Sequence, residues 1–291
     1  MDSLLRGVDG AREIRVVSAV TSQMAVEGCR RHGLRGVEAL ALARAITAGC
    51  LLATLTKNEE ERVRLVITGG GAIHRILIDA RGDGTARACL RSRLNAPIDP
   101  GPEGIRPFVG HQGQIVIRRD LGLPQPYEGI VPLTSGEIDE DIERYLERSE
   151  QLPSVMRCSA TLGAGGEVLR SAGVLVQTFP GADPERLAVS RDALAGLEPL
   201  LGQERTPAEL MGVALGGDRY ETMREAPLRY HCSCGRERAL GVLSTLGAAD
   251  LESLANEQET TEVRCEFCGD AYDVTREDVR ALAQSLREQR S

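Results

Sequence analysis

The chain has 291 residues, more than one ordinary compact core accommodates, so two or three structural units are expected. Its 42% hydrophobic and 27% charged residues are those of a folded globular protein, and no segment matches a signal peptide or the length of a membrane span. A formal net charge of -8 with only 3% aromatic residues argues against a nucleic-acid surface, which needs clustered basic side chains with aromatics between them.

These properties suit a cytoplasmic protein. In that reducing compartment the eight cysteines are expected to be metal ligands, redox groups or small buried hydrophobes rather than standing disulfides.

In chain order, Ile14 to Val17 is a short β-branched run, and Gly36 to Leu55 is an Ala- and Leu-rich stretch that predicts a helix. Arg62 to Thr68, Ile73 to Asp79 and Thr85 to Leu90 are apolar runs separated by glycine-rich turns, the pattern of an antiparallel meander. Gly69-Gly70-Gly71 lacks the Lys-Ser/Thr ending of a phosphate loop and precedes a strand, so it reads as a hairpin turn.

Strands are predicted at Gln114 to Arg119, Tyr127 to Val131, Val155 to Leu162 and Val168 to Phe179. Thr134-Ser135-Gly136-Glu137 has capping-box spacing and opens a helix to about Glu150. The acids that follow, Asp139, Glu140, Asp141 and Glu143, are expected to favour the helix dipole. With strands and helices grouped rather than alternating, the fold class is α+β.

After Phe179 the strand signal stops. Two helical segments follow, Pro184 to Leu201 and Pro207 to Leu215, and the second opens on Thr206-Pro207-Ala208-Glu209, a capping box with proline in the first turn. Leu187, Leu194, Leu197 and Leu201 form a narrow apolar stripe broken by Gly196 and Pro199, so this helix depends on its neighbours. The expected division is a core of antiparallel sheet with helices over 1–180, a helical linker over 181–226 and a small terminal unit over 227–291. That last unit is predicted to contain helices near Arg238 to Leu246 and Asp250 to Gln258, a strand into Cys265 and a helix after Thr275.

The chemistry concentrates in the terminal unit. Cys232-Ser233-Cys234 and Cys265-Glu266-Phe267-Cys268 are two close pairs separated by the thirty residues Gly235 to Arg264, the pattern of a four-thiolate zinc site in which each tight turn supplies two sulfurs. Gly235 and Gly269 follow the pairs, where freedom to take positive φ would let the backbone turn back on the sulfurs. A unit of this size gains only about 3 to 5 kcal/mol from its core, whereas structural zinc contributes about 10 to 16 kcal/mol in small domains. Loss of metal should therefore loosen the unit. Such a site is most often an inert clip, but zinc also keeps the sulfurs as thiolates, the species oxidants attack.

Other residues are read as structural. His231 abuts the cluster but four sulfurs already complete the shell, and Cys29, Cys50, Cys89 and Cys158 lie singly among apolar neighbours. His32, His74 and His111 are scattered and form no triad, so no catalytic residue is assigned. A zinc hydrolase would need an open ligand position that four sulfurs do not leave. A zinc-clipped protein- or nucleic-acid-binding module without a redox role is the competing reading. From Ala226 onward, eight arginines face twelve acidic residues, which disfavours nucleic acid.

The chain from about Arg12 to Ser291 resembles the heat shock protein 33 family of redox-regulated chaperones. The resemblance is carried by the two cysteine pairs with Gly269 and Tyr272, by Arg148-Ser149-Glu150-Gln151-Leu152-Pro153, and by Ala172-Gly173-Val174-Leu175-Val176-Gln177. It implies an ATP-independent holdase, inactive while reduced with one zinc per chain on Cys232, Cys234, Cys265 and Cys268. Oxidants such as peroxide or hypochlorous acid in oxidative stress, often with mild unfolding, would form the disulfides Cys232 to Cys234 and Cys265 to Cys268, release zinc, unfold the terminal unit and destabilise the linker. It further implies unfolded clients as partners and a homodimer when oxidised. Ser171-Ala172-Gly173 stands where the family often has paired glycines. The client surface is not assigned by motif; the linker leucines are the expectation.

Overall fold

A computed structural model of the chain describes residues 1–55, 58–183, 185–201 and 203–288. They form two compact units, Met1–His231 and Cys232–Ser291. The expected α+β class is observed, with two antiparallel sheets in the first unit and a helix-flanked hairpin in the second.

The first unit begins with β1 (Ser3–Asp9), β2 (Ile14–Val20), α1 (Ser22–His32) and α2 (Val37–Ala53). The meander follows as β3 (Arg62–Gly69), β4 (Ile73–Arg81) and β5 (Thr85–Ser92), then a short α3 (Arg106–Val109), β6 (Gly113–Asp120) and β7 (Tyr127–Pro132). Helix α4 (Ile138–Ser149) leads to the hairpin β8 (Ser154–Leu162) and β9 (Val168–Thr178). Then come α5 (Arg186–Leu194), α6 (Leu197–Leu200), α7 (Pro207–Ala214), β10 (Tyr220–Pro227) and the two-residue β11 (Arg229–Tyr230).

One sheet has the order β10-β1-β2-β9-β8 and the other β11-β5-β4-β3-β6-β7, antiparallel throughout except for β11 on β5. Helix α2 is buried along almost its whole length, because it packs against β2, β8 and β9 on one side and β3, β4 and β5 on the other. A helix apolar all round belongs in such a sandwiched position. Gly49 is the point of closest approach: a Cβ there would sit 2.6 Å from Ile78 Cγ2.

The outer face of the five-stranded sheet carries a second apolar cluster. Leu5, Ile14, Val16, Val155, Val174 and Val176 are covered there by Leu187, Leu194, Leu197, Leu201, Leu210 and Met211 from α5 to α7. The broken leucine stripe thus finds its partner in a sheet face. Proline and glycine split the predicted Pro184 to Leu201 helix into α5 and α6, and Pro184 itself lies outside the described residues. The Thr206 capping box forms as predicted, with Thr206 Oγ1 accepting from Glu209 N at 3.3 Å and Glu209 Oε2 accepting from Thr206 N at 2.7 Å.

Three local expectations are corrected. The strand signal does not end at Phe179: β10 pairs with β1 at the sheet edge, and its residues, mostly solvent-facing on both sides, show no alternation to read. Glu137 is not the third residue of a capping box but stands before α4, where its carboxylate meets Arg44 at 2.6 Å. The α4 acids also do more than favour a dipole. Asp141 accepts from the Thr134, Ser135 and Gly136 amides, Asp139 pairs with Arg44, Glu140 with Arg106, and Glu143 with Arg157 and Arg191.

The second unit comprises α8 (Arg236–Leu243), α9 (Ala248–Glu257), the hairpin β12 (Thr260–Arg264) and β13 (Ala271–Thr275), and α10 (Arg276–Glu288). Its buried core is small, with Leu243, Leu251, Ala255, Val274, Val279 and Ala283. A core of this size is the kind that depends on an added cross-link.

Candidate metal centre

The hairpin of the second unit sets up half of the site. Strands β12 and β13 pair Arg264 with Ala271, and the loop between them is closed by Cys265 N donating to Asp270 O and Gly269 N donating to Cys265 O, both at 2.9 Å. Gly269 takes φ +75°, a conformation that disfavours any residue with a Cβ, so the predicted role for this glycine is observed. Arg264 Nη1 donates to Gly269 O at 3.0 Å and ties the turn to the strand. The result is a tight loop with Cys265 and Cys268 on its inside.

The other half is the stretch before α8. Cys232 and Cys234 flank Ser233, whose hydroxyl accepts from Arg238 Nη1 at 2.9 Å, so the first turn of α8 orders the segment. Gly235 has φ -177°, extended backbone open to any residue, and the positive φ expected there is not observed. A Cβ at this position would meet nothing within 4 Å, so neither backbone nor packing there requires a glycine.

The two halves bring Cys232, Cys234, Cys265 and Cys268 together, with all four sulfurs within 4.8 Å of one another. Cys232 Sγ lies 3.7 Å from Cys265 Sγ, and Cys234 Sγ lies 3.2 Å from Cys268 Sγ. Four sulfurs about 2.3 Å from one zinc ion would be spaced by about 3.8 Å. The donor set and its spacing therefore fit a tetrahedral metal, and among the described residues this is the one His/Cys/Asp/Glu group so arranged.

Electrostatics point the same way. Burial pushes the thiols of Cys234 and Cys268 above the usual cysteine range, and the neighbouring sulfurs act in the same direction on Cys268. Crowded thiols of this kind all ionise together only when a cation offsets their charge. Tyr272, on β13, places its hydroxyl 2.9 Å from Cys234 Sγ. The phenol lies near the cluster because β12 and β13 pair Val263 with Tyr272, a register that periodicity alone does not give.

The remaining cysteines are apart from this site. Cys29, Cys50, Cys89 and Cys158 are all buried in the first unit. Burial pushes the Cys29 and Cys50 thiols up to about 12 and Cys158 upward as well, which leaves them neutral at physiological pH and poor nucleophiles. His32 Nε2 lies 3.1 Å from Ala88 O, and neither it nor His74 nor His111 joins the metal-ligating group.

Comparison with known proteins adds independent findings. The family model described as Hsp33 protein matches residues 2–275. The 33 kDa chaperonin of Geobacter sulfurreducens is 33% identical over 289 residues, covering 98% of this chain and 96% of that protein. A 33 kDa chaperonin of Bacillus cereus is 31% identical over 293 residues, with 98% and 99% covered. The crystal structure of the 33 kDa chaperonin, heat shock protein 33 homologue, of Thermotoga maritima superposes with a TM-score of 0.87 at 26% identity, over 99% of each chain.

Proposed function

Because the chain belongs to the Hsp33 family, a family of chaperones, we propose that it is an ATP-independent holdase switched on by oxidation of its four-cysteine centre. The observation that carries this reading is the convergence of Cys232, Cys234, Cys265 and Cys268 in a unit with a very small core. In the reduced state these residues would hold one zinc ion, which supplies a cross-link between the two halves of the unit and keeps the sulfurs as thiolates.

An oxidant such as peroxide would then convert the ligands into the disulfides Cys232 to Cys234 and Cys265 to Cys268, with zinc released. The unit loses its largest stabilising contribution and loosens. In the first unit, the segment over 181–226 acts as a metastable linker between the core of 1–180 and the switch of 227–291, and its leucines cover the apolar face of the five-stranded sheet. Release of that segment exposes apolar surface to unfolding clients, with dimerisation of the oxidised form. The reading assigns no catalytic residue, and it places the protein in the cytoplasm as part of the oxidative and heat stress response. No described helix is long and apolar enough to cross a membrane.

Metal analysis and disulfide mapping of the full-length protein before and after peroxide test this assignment. The proposal expects about one zinc per chain in reductant and the two short-range disulfides after oxidation. Zinc retained after full oxidation, or cysteines 232, 234, 265 and 268 left as thiols, would leave the structural-clip reading in its place.

A further inference from the structure

The four sulfurs are not equivalent, because Cys234 has a phenol hydroxyl 2.9 Å from its sulfur. The hydroxyl belongs to Tyr272, carried on β13 opposite Val263 and two residues before the fully buried Val274. Val274 anchors the strand in the unit's core, so the same face directs Tyr272 toward the cysteines. The Ser233 hydroxyl, the nearest alternative in sequence, faces Arg238 Nη1, from which it accepts at 2.9 Å.

Resting on the four-thiolate reading above, we propose that Tyr272 is a positioning residue for the switch: its O–H donates a hydrogen bond to the Cys234 thiolate and restrains that sulfur from attacking an oxidant. A hydrogen bond to a thiolate draws electron density from sulfur, and nucleophilicity falls with that density. Groups that hydrogen-bond to metal ligands also orient them, and their loss weakens metal sites by about 10- to 100-fold. Tyr272 therefore acts on metal retention and on oxidation rate at one sulfur.

The step concerned is balanced with a peroxide as oxidant. The thiolate sulfur attacks one peroxide oxygen, an S–O bond forms, the O–O bond breaks and hydroxide leaves. A neighbouring thiolate attacks the resulting sulfenic sulfur, an S–S bond forms and a second hydroxide leaves. Two thiolates have supplied two electrons, and the peroxide has taken them. Tyr272 slows the first attack when Cys234 is the attacking sulfur, and it does so without consuming anything.

The test uses the reduced full-length protein loaded with Co(II) in place of zinc, with two substitutions at position 272. Wild type should show the sulfur-to-cobalt absorption of a four-thiolate tetrahedral site. In Tyr272→Phe that band should move to lower energy, because Cys234 becomes more electron-rich, and peroxide should consume the Cys234 thiol roughly threefold faster or more, as followed by alkylation and mass spectrometry. Replacement of Tyr272 by 3-fluorotyrosine keeps the shape and strengthens the donor, so the band and the rate should both move the opposite way. That opposition separates hydrogen bonding from packing, since a folding defect would shift both variants alike. An unmoved band and an unchanged Cys234 rate in Tyr272→Phe, or the same direction in both variants, overturns the role of Tyr272 and leaves the metal site standing. Failure of wild type to bind Co(II) through sulfur overturns the four-thiolate reading, and this proposal with it.

Discussion

The guanidinium of Arg186 lies 2.8 Å from the carboxylate of Asp9, whose side chain is only 1% exposed. The other Asp9 oxygen accepts from the amides of Glu13 and Ile14, so the carboxylate is fixed by the β1–β2 turn before Arg186 reaches it. A few residues along the same helix, Arg191 meets Glu143 at 3.1 Å, and Glu143 in turn accepts from Met156 N. Helix α5 is therefore held to the first unit by two arginines at anchored acids as well as by its leucines.

Arg186→Met tests the first of these tethers. It keeps the aliphatic stem but leaves one face of a buried carboxylate without its partner, a loss of about 1 kcal/mol given that Arg186 is itself part-exposed. In reductant, proteolysis within residues 181–226 should accelerate and binding of an apolar dye should rise, with metal content unchanged. Proteolysis equal to wild type would show that the leucines alone hold the helix.

Leu194→Ala addresses the leucines. Leu194 is buried in the cluster on the outer face of the five-stranded sheet, and truncating such a side chain costs about 2 to 5 kcal/mol. The urea midpoint for release of the 181–226 segment should fall, and less peroxide should be needed to reach a given level of client protection. A midpoint unaffected by the change would mean that Leu194 is not what seals this face.

Gly49→Val probes the sandwiched position of α2. Already the first added carbon would sit 2.6 Å from Ile78 Cγ2, and overpacking of a close-packed core costs about 1 to 3 kcal/mol. A lower melting temperature of the first unit is expected, without loss of bound metal. Equal stability would argue that α2 and β4 are not in contact there.

Asp79 gives a pH dependence with a defined sign. Burial works to raise its pKa, but the Arg64 and Arg87 guanidinium groups, at 2.6 and 2.9 Å, outweigh it and hold the carboxyl below its ordinary value. A depressed folded-state pKa means that the stabilisation is complete above the unfolded value, near 3.8, and is lost as pH falls through the folded value. Asp79→Asn should therefore lower the urea midpoint at pH 6 and flatten its decline below about pH 4. A parallel acid decline in both proteins would remove Asp79 from the account.

The meander strands β3 to β5 are legible in the chain because glycine-rich turns punctuate short apolar runs, and the four cysteines because metal-ligand spacing admits few alternatives. Edge strand β10 is not, since residues facing solvent on both sides need no alternation. The roles of Glu137 and Asp139 are equally hidden: both acids meet Arg44, 93 or more residues earlier in the chain, and no local pattern signals such a pairing. Tyr272 stands beside the motif in sequence, yet its contact with Cys234 depends on the β12–β13 register and on the packing of Val274.

The central claim is tested most directly by following zinc release and suppression of client aggregation in one sample of full-length protein, without nucleotide, after peroxide at mild heat. The account predicts that about one zinc per chain is released and that protection appears in step with that release, with reductant and zinc reversing both. Protection by the reduced zinc-bound protein, or complete zinc release that brings no protection, would contradict it.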